Sequence, residues 1–169
     1  GCRLDDVRRW RSASPRARAA SRPVPWGSNA RRPKPESSSA SAQPDVRSGA
    51  ASSSPGYLVN NNGTLFFTAF TDAAGYELWK TDGTTSGTQL VRDLNPGTTG
   101  AYPRNMTSVN GSVFLSAADG ANGYELWRTD GTGPGTMRLA DINAAGGSAP
   151  SALRRVGEVI YFRADDGVA

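Results

Sequence analysis

The 169-residue sequence contains no histidine and a single cysteine, Cys2. Without histidine, the chain cannot build a Ser-His-Asp triad, a Cys-His pair or a histidine-ligated metal site. A single cysteine excludes an internal disulfide framework and a zinc site made of several cysteines. These two absences remove most of the common hydrolase chemistries.

Long apolar segments are also missing. No run of about 18 or more apolar residues is present, so the sequence predicts no membrane span. There is no signal peptide with a charged start and an apolar core, and residue 1 is glycine rather than methionine. We therefore expect a fragment or a processed chain. Cys2 behind Gly1 has the order found at the end of a lipobox, but a free thiol is the simpler interpretation.

Positive charge is concentrated at the start of the chain. Residues 1–50 hold eleven Lys/Arg against four acidic residues, a net charge of +7, whereas residues 51–169 hold eight against eleven, a net charge of −3. Residues 1–53 are rich in Arg, Pro, Ser and Ala and are predicted to be a disordered basic tail, because they hold too few large apolar residues to offset the entropy of folding. The clusters Arg8-Arg9-Trp10-Arg11 and Arg31-Arg32-Pro33-Lys34 are compatible with nucleic-acid binding. A solvated linker, or translated sequence with no selected role, is the alternative interpretation, and we favour it.

The rest of the chain is organised by a segment that occurs twice. Residues 75–84 read GYELWKTDGT, and residues 123–132 read GYELWRTDGT, 48 positions later. Extended to Thr88 and Thr136, the two copies differ at three of fourteen positions. A period of about 20–50 residues is typical of propellers, solenoids and related arrays. Residues 54–169 are therefore predicted to form about two and a third repeats of one unit.

Each repeat is predicted to contain four short antiparallel strands and no helix. Asn62-Gly63 and Asn110-Gly111 favour type I′ hairpin turns, in which both residues have φ > 0, whereas Gly157-Glu158 in the third repeat predicts a different turn. Residues after each turn alternate with a period of two, as in a strand buried on both faces. The later strands are predicted over Tyr76–Thr81 and Tyr124–Thr129. The Asp-Gly pair is predicted to reverse the chain with the same turn chemistry, and the next strands are predicted over Thr88–Leu94 and Thr136–Ile142.

The pattern Glu-Leu-Trp-x-Thr-Asp-Gly-Thr-x-x-Gly-Thr, followed by an apolar strand and Asp-Leu or Asp-Ile, resembles the ELWxxDGT repeat family of large bacterial surface and secreted proteins. The resemblance covers about residues 54–169 and none of the tail. It implies an all-β fold, an incomplete β-propeller-like array of four-stranded antiparallel repeats, and an extracellular or cell-surface location. The family has no settled activity.

The number of repeats is small for this architecture. Closed propellers contain about four to eight blades, and a repeat needs neighbours to cover its apolar faces. We therefore expect an open array with exposed edges that is marginally stable or self-associates unless further repeats of the same kind join it.

Three carboxylates recur in each complete repeat, and they have two interpretations. With asparagine and carbonyl oxygens, they could bind Ca²⁺. Alternatively, Asp82 and Asp130 make turns, the next aspartates end strands, and Glu77 and Glu125 pair across strands with Lys or Arg. We favour the structural interpretation and predict no other cofactor. The candidate calcium ligands are Asp93, Asn95, Asp141 and Asn143.

Catalysis is not predicted. Glycoside hydrolysis needs an acid and a base about 5–10 Å apart in a cleft, but every candidate carboxylate recurs with the repeat, as structural residues do. Trp79 and Trp127, with Tyr76 and Tyr124, could form a platform for sugar rings. Aromatic residues that recur with the repeat more often form the core between sheets, and we favour that interpretation.

The sequence thus favours a non-enzymatic extracellular scaffold that presents a binding or adhesion surface to a protein or glycan ligand. Two alternatives remain open. The first is a fragment of a carbohydrate-active propeller enzyme whose catalytic residues lie elsewhere. The second is a nucleic-acid-binding basic tail on a β scaffold.

Overall fold

The computed structural model describes residues 45–168, and every regular element within that range is a β-strand. The first sheet contains β1 (Gly56–Asn61), β2 (Thr64–Thr71), β3 (Gly75–Thr81) and β4 (Gln89–Arg92). The second sheet contains β5 (Arg104–Val109), β6 (Ser112–Ala118), β7 (Tyr124–Thr129) and β8 (Met137–Ala140). The third contains β9 (Ser151–Val156) and β10 (Val159–Arg163).

In the first two sheets, strands that follow one another in sequence are antiparallel neighbours. Four antiparallel strands per complete repeat, without a helix, are therefore confirmed. The three sheets do not close into a barrel or propeller over residues 45–168. That part of the chain also has no helix long and apolar enough to cross a membrane.

The hairpin turns have the predicted backbone conformation. Asn62 and Gly63 have φ angles of 53° and 91°, and Asn110 and Gly111 have φ angles of 49° and 79°. Both residues of each pair lie in the left-handed region that a type I′ turn requires. Gly157 has a φ angle of 62°, but Glu158 does not have a positive φ, so the third turn differs as predicted.

The prediction that Asp-Gly reverses the chain with the same type I′ turn chemistry is wrong. β3 ends at Thr81 and β4 begins at Gln89, so residues 82–88 form the loop between them. Gly83 has a φ angle of 91°, whereas Asp82 does not have a positive φ. The Asp82 carboxylate instead accepts hydrogen bonds from the backbone N–H of Thr84 at 2.9 Å and from its hydroxyl at 2.7 Å, which turns the chain by side-chain capping.

The strands after these loops are shorter than the predicted 88–94 and 136–142. Thr88 remains in the loop, where its hydroxyl lies 2.6 Å from that of Thr81. At the other end, the backbone N–H of Leu94 donates to the Glu77 carboxylate at 3.0 Å instead of extending the sheet. Side-chain partners outside the ladder therefore set both limits of β4.

The core lies between the first and second sheets. Phe66 and Leu78 on one face of the first sheet pack against a face of the second sheet that includes Leu115 and Trp127, and all four are buried. Burial of apolar area at about 25 cal/mol per Å² makes this contact the main stabilising term. The full cluster is Phe66, Leu78, Val91, Leu94, Ala101, Val113, Leu115, Ala117 and Trp127.

Hydrogen bonds tie the same two sheets together. The Thr68 hydroxyl donates to the Pro103 carbonyl at 2.5 Å, and Lys80 Nζ donates to the Gly131 carbonyl at 2.7 Å. The second and third sheets are joined in a related way, because Asn105 Nδ2 donates to the Pro150 carbonyl at 3.1 Å. Each sheet therefore contacts the next one along the chain.

An irregular backbone conformation recurs around the proline that precedes the first strand of each repeat. The residues just before the three prolines have φ angles between 46° and 49°: Ser54, Tyr102 and Ala149. The residues two positions after the three prolines have φ angles between 52° and 54°: Tyr57, Asn105 and Ala152. In the first two sheets this region contains a break in the register between the first two strands.

Residues 45–53, assigned by sequence to the tail, contact the first sheet. The Arg47 guanidinium pairs with Asp72 at 2.6 Å and lies 4.7 Å from the ring centroid of Phe70, and the Ser53 carbonyl accepts the Phe70 N–H at 2.8 Å. The predicted disorder and nucleic-acid binding of residues 1–44 lie outside the described residues.

Truncation of Leu115 tests the position of the core. We expect Leu115→Ala to lower the free energy of unfolding by about 2–5 kcal/mol, because it leaves a cavity between two sheets. Leu58→Ala is the matched control, since Leu58 is 62% exposed and exposed substitutions change stability by about 0.5 kcal/mol or less. Urea denaturation measures both, and equal losses would contradict this core.

Candidate functional site

The glutamate of each Glu-Leu-Trp motif is a buried anchor. Both Glu77 and Glu125 are completely inaccessible to solvent. The Glu77 carboxylate accepts hydrogen bonds from the backbone N–H groups of Leu94, Asn95 and Ala101 at 3.0, 3.3 and 2.9 Å. Buried carboxylates need such partners to offset the loss of hydration.

Glu125 occupies the same place in the second repeat. It accepts hydrogen bonds from the Ser148 backbone N–H at 2.8 Å, the Ser148 hydroxyl at 2.6 Å and the Ile142 N–H at 3.4 Å. The prediction that the glutamates pair across strands with Lys or Arg is therefore wrong. The connection that leads to the next repeat supplies main-chain donors, so neither carboxylate needs a desolvated cation as its partner.

Burial also changes the titration of Glu77. Loss of hydration raises the pKa of its carboxyl group from 4.5 to about 7, and the three backbone N–H donors limit that rise by stabilising the charged form. The nearby charge of Asp93 raises the pKa further.

The aspartates of the Asp-Gly-Thr segments form turns, as predicted. Asp130 accepts hydrogen bonds from the backbone N–H and hydroxyl of Thr132 at 2.8 and 2.7 Å, which repeats the arrangement at Asp82. The hydroxyl of this threonine is the main cause that lowers the pKa of Asp130. A Cβ atom at Gly135 would collide with the Asp130 carboxylate, which explains why the motif has glycine five residues after the aspartate.

The candidate calcium ligands have several structural contacts. Asn95 Nδ2 donates to the Gly100 carbonyl at 2.9 Å, and Asn143 Oδ1 accepts the Ala145 N–H at 3.1 Å. Asp141 lies 3.5 Å from the Arg138 guanidinium, whereas Asp93 Oδ1 is buried with no hydrogen-bond partner in the described part of the chain. In residues 45–168, no group of three or more Asp, Glu, His or Cys side chains is placed to hold one metal ion. Calcium binding stays a prediction.

The two tryptophans differ in their surroundings. Trp127 is 6% exposed, belongs to the core between the sheets and donates through Nε1 to the Ala117 carbonyl at 3.0 Å. This supports the interpretation of Trp127 as core rather than as a sugar platform. Trp79 is half-buried, and its Nε1 has no partner among the described residues.

An open cleft of about 410 Å³ lies where the first two repeats meet. We call it the tyrosine cleft, after the four tyrosines that line it. Its walls also include Thr68 and Arg104. The tyrosines are Tyr57, Tyr76, Tyr102 and Tyr124.

Two of the four tyrosine rings in the cleft contact each other, and a third contacts Arg104. The ring centroids of Tyr76 and Tyr102 are 5.2 Å apart with 34° between their planes. Phe70 packs edge-on against Tyr76 at 5.2 Å. The Arg104 guanidinium lies 3.7 Å from the ring centroid of Tyr124, within the range of a cation–π contact. The cleft thus combines aromatic faces with one cation.

Sequence reasoning selected Tyr76 and Tyr124 but missed Tyr57, Tyr102 and Arg104. The three missed residues depart from the repeat, and that departure could have identified them. In the third repeat, Ala152, Ala149 and Ser151 stand at the positions of Tyr57, Tyr102 and Arg104. The structural residues of the repeat recur, whereas these cleft residues do not.

The raised pKa of Glu77 gives a pH prediction. Between pH 4.5 and 7 the folded chain holds a proton on Glu77 that the unfolded chain has lost, so the free energy of unfolding falls as the pH rises, by up to about 3 kcal/mol. The chain has no histidine to mask this effect. Urea denaturation at pH 5 and pH 8 measures it.

Two amide variants serve as test and control. We expect Glu77→Gln to lose most of the pH dependence, because the amide does not titrate, and Glu158→Gln to keep it, because Glu158 is exposed. An unchanged pH dependence in Glu77→Gln would contradict the assignment.

The chain was also compared with known proteins. No family model, no curated protein and no solved structure matches it.

Proposed function

We propose that this chain is part of a non-enzymatic, propeller-like repeat scaffold, located outside the cell or at the cell surface, that presents a binding surface where two repeats meet. The location and the propeller-like form rest on the sequence resemblance. The binding role rests on a difference between the side chains of residues 45–168: those that recur in each repeat bind the protein itself, whereas those that do not recur are exposed in a cleft.

One observation carries this proposal. The recurrent glutamates and turn aspartates contact the protein itself: Glu77 and Glu125 bind backbone amides, and Asp82 and Asp130 bind neighbouring threonines. In contrast, the non-recurrent Tyr57 and Tyr102 are 58% and 47% exposed and line an open cleft. A scaffold made of repeated residues that displays unrepeated ones is the arrangement expected of a binding module.

The third sheet supports further repeats as partners. Val156, Val159 and Tyr161 are 62%, 53% and 60% exposed on the two strands of this sheet. β10 corresponds to β2 and β6, each of which pairs with a third strand through the Glu-Leu-Trp segment. A strand with that sequence would pair with β10 and add to the sheet.

This arrangement can be tested by extending the chain. We expect a copy of residues 123–149 added directly after Ala169 to raise the urea midpoint, because it supplies a third and a fourth strand to the third sheet together with the Ser148 donors of the buried glutamate. The same extension with lysine at the position that copies Glu125 is the control, since it lacks the buried acceptor. Equal midpoints for the two extended chains would contradict the repeat architecture.

A second experiment distinguishes binding of glycans from their hydrolysis. We expect the full chain to be retained on an array of immobilised glycans and to release no product from the same glycans in solution. Product release that is lost on Asp93→Asn or Asp141→Asn would instead support the carbohydrate-active enzyme. Absence of retention on every glycan would contradict the glycan-binding form of the proposal.

A further inference from the structure

The aromatic rings at Tyr57 and Tyr102 are not required by the backbone that carries them. Both residues have positive φ, a conformation that is uncommon for residues with large side chains. At the equivalent position to Tyr57, Asn105 and Ala152 have φ angles within 2° of its 52°, and at the position of Tyr102, Ser54 and Ala149 have φ angles of 46°. The fold therefore accepts smaller residues at both positions, so we attribute the tyrosine rings to the properties of the cleft surface rather than to the backbone.

The rings of Tyr76 and Tyr102 form an apolar wall of the cleft. Phe70 holds Tyr76 from behind, and Tyr76 contacts Tyr102, so the ring faces are set by packing within the protein. A tyrosine ring presents an apolar face and a polar tip. A pyranose sugar presents the complement, a face of C–H groups and a rim of hydroxyl groups. Pockets of this kind combine apolar walls with a few placed polar groups.

The polar groups of the tyrosine cleft are free to bind. The phenol hydroxyls of Tyr57, Tyr76 and Tyr102 form no hydrogen bond with residues 45–168, and the same holds for the terminal N–H groups of Arg104. The Nε of Arg104 is buried, so a ligand would pair with the terminal N–H groups. Arg104 also has no ion pair within that part of the chain, whereas Arg47 at the far side of Phe70 is already paired with Asp72. An arginine held against a ring presents its N–H groups in the fork that matches a carboxylate.

We propose that the tyrosine cleft binds an acidic oligosaccharide, a chain of pyranose rings that carry carboxylates, as in a polyuronate. Tyr57 and Tyr102 stack against the sugar rings, and Arg104 pairs with a carboxylate. This inference rests on the proposed function, since it names the ligand class of that binding surface. Proline-rich peptides also bind aromatic grooves, but an uncharged peptide would leave the Arg104 cation without a partner.

The test uses isothermal titration calorimetry with the full chain at about 0.15 M salt, where charges more than about 8 Å apart are screened. The probes are an oligogalacturonate and the neutral galactose oligomer of equal length. The variants are Tyr57→Asn, Tyr102→Ser and Arg104→Ser, each of which copies a residue found at the same position of another repeat. Tyr161→Ser is the control, because Tyr161 is 60% exposed on the third sheet.

We expect Tyr57→Asn and Tyr102→Ser to weaken the binding of both probes by about tenfold. Arg104→Ser should weaken binding of the acidic probe by about tenfold or more while the affinity for the neutral probe stays the same, because only the charged hydrogen bonds are lost. Tyr161→Ser should bind as the unaltered chain does. Urea midpoints show that each variant folds.

Three outcomes would overturn the inference. In the first, the acidic probe does not bind. In the second, it binds to each of the three cleft variants as tightly as to the unaltered chain, which assigns binding to the basic residues 1–50 instead. In the third, a proline decamer binds with a dependence on Tyr57 and Tyr102 while the acidic probe does not. Retention on immobilised glycans that persists in the cleft variants would reject this cleft and leave the scaffold function standing.

Discussion

The contact on which the rest of the structure depends is the buried carboxylate of Glu77 with the main chain that leads to the next repeat. Its acceptors bind N–H groups 17 and 24 residues further along the chain, at Leu94 and Ala101. A carboxylate without such donors would cost several kcal/mol to bury, so the loop and the glutamate require each other. Glu125 and Ser148 repeat this relation one unit later.

The tyrosine cleft is a direct result of that contact. Ala101 is held by both the Glu77 carboxylate and the Tyr76 carbonyl, each at 2.9 Å. Tyr102 follows at once and donates its own N–H to the same Tyr76 carbonyl at 3.0 Å. The anchor thus brings the rings of Tyr76 and Tyr102 side by side, and the segment that joins two repeats also forms the wall between them.

The sequence was sufficient for the features with local causes and insufficient for those that depend on distant partners. The Asn-Gly turns could be predicted because their conformation follows from two adjacent residues, and the strands because their period is two. The role of Glu77 could not be predicted in this way. Rules for cross-strand pairs describe contacts between side chains, whereas the partners of Glu77 are main-chain N–H groups far along the chain. The cleft was missed for another reason. The sequence predictions were based on residues that recur in each repeat, and Tyr102 and Arg104 do not recur.

In both complete repeats the anchoring contact joins a glutamate to the connection that leads to the next unit, and two of its backbone donors stand at equivalent positions. A protein built in this way can gain or lose whole units of about 48 residues without remaking any contact, because every junction that remains is complete in itself. Its length is then free to change during evolution, while the few residues that differ between units set what each junction recognises.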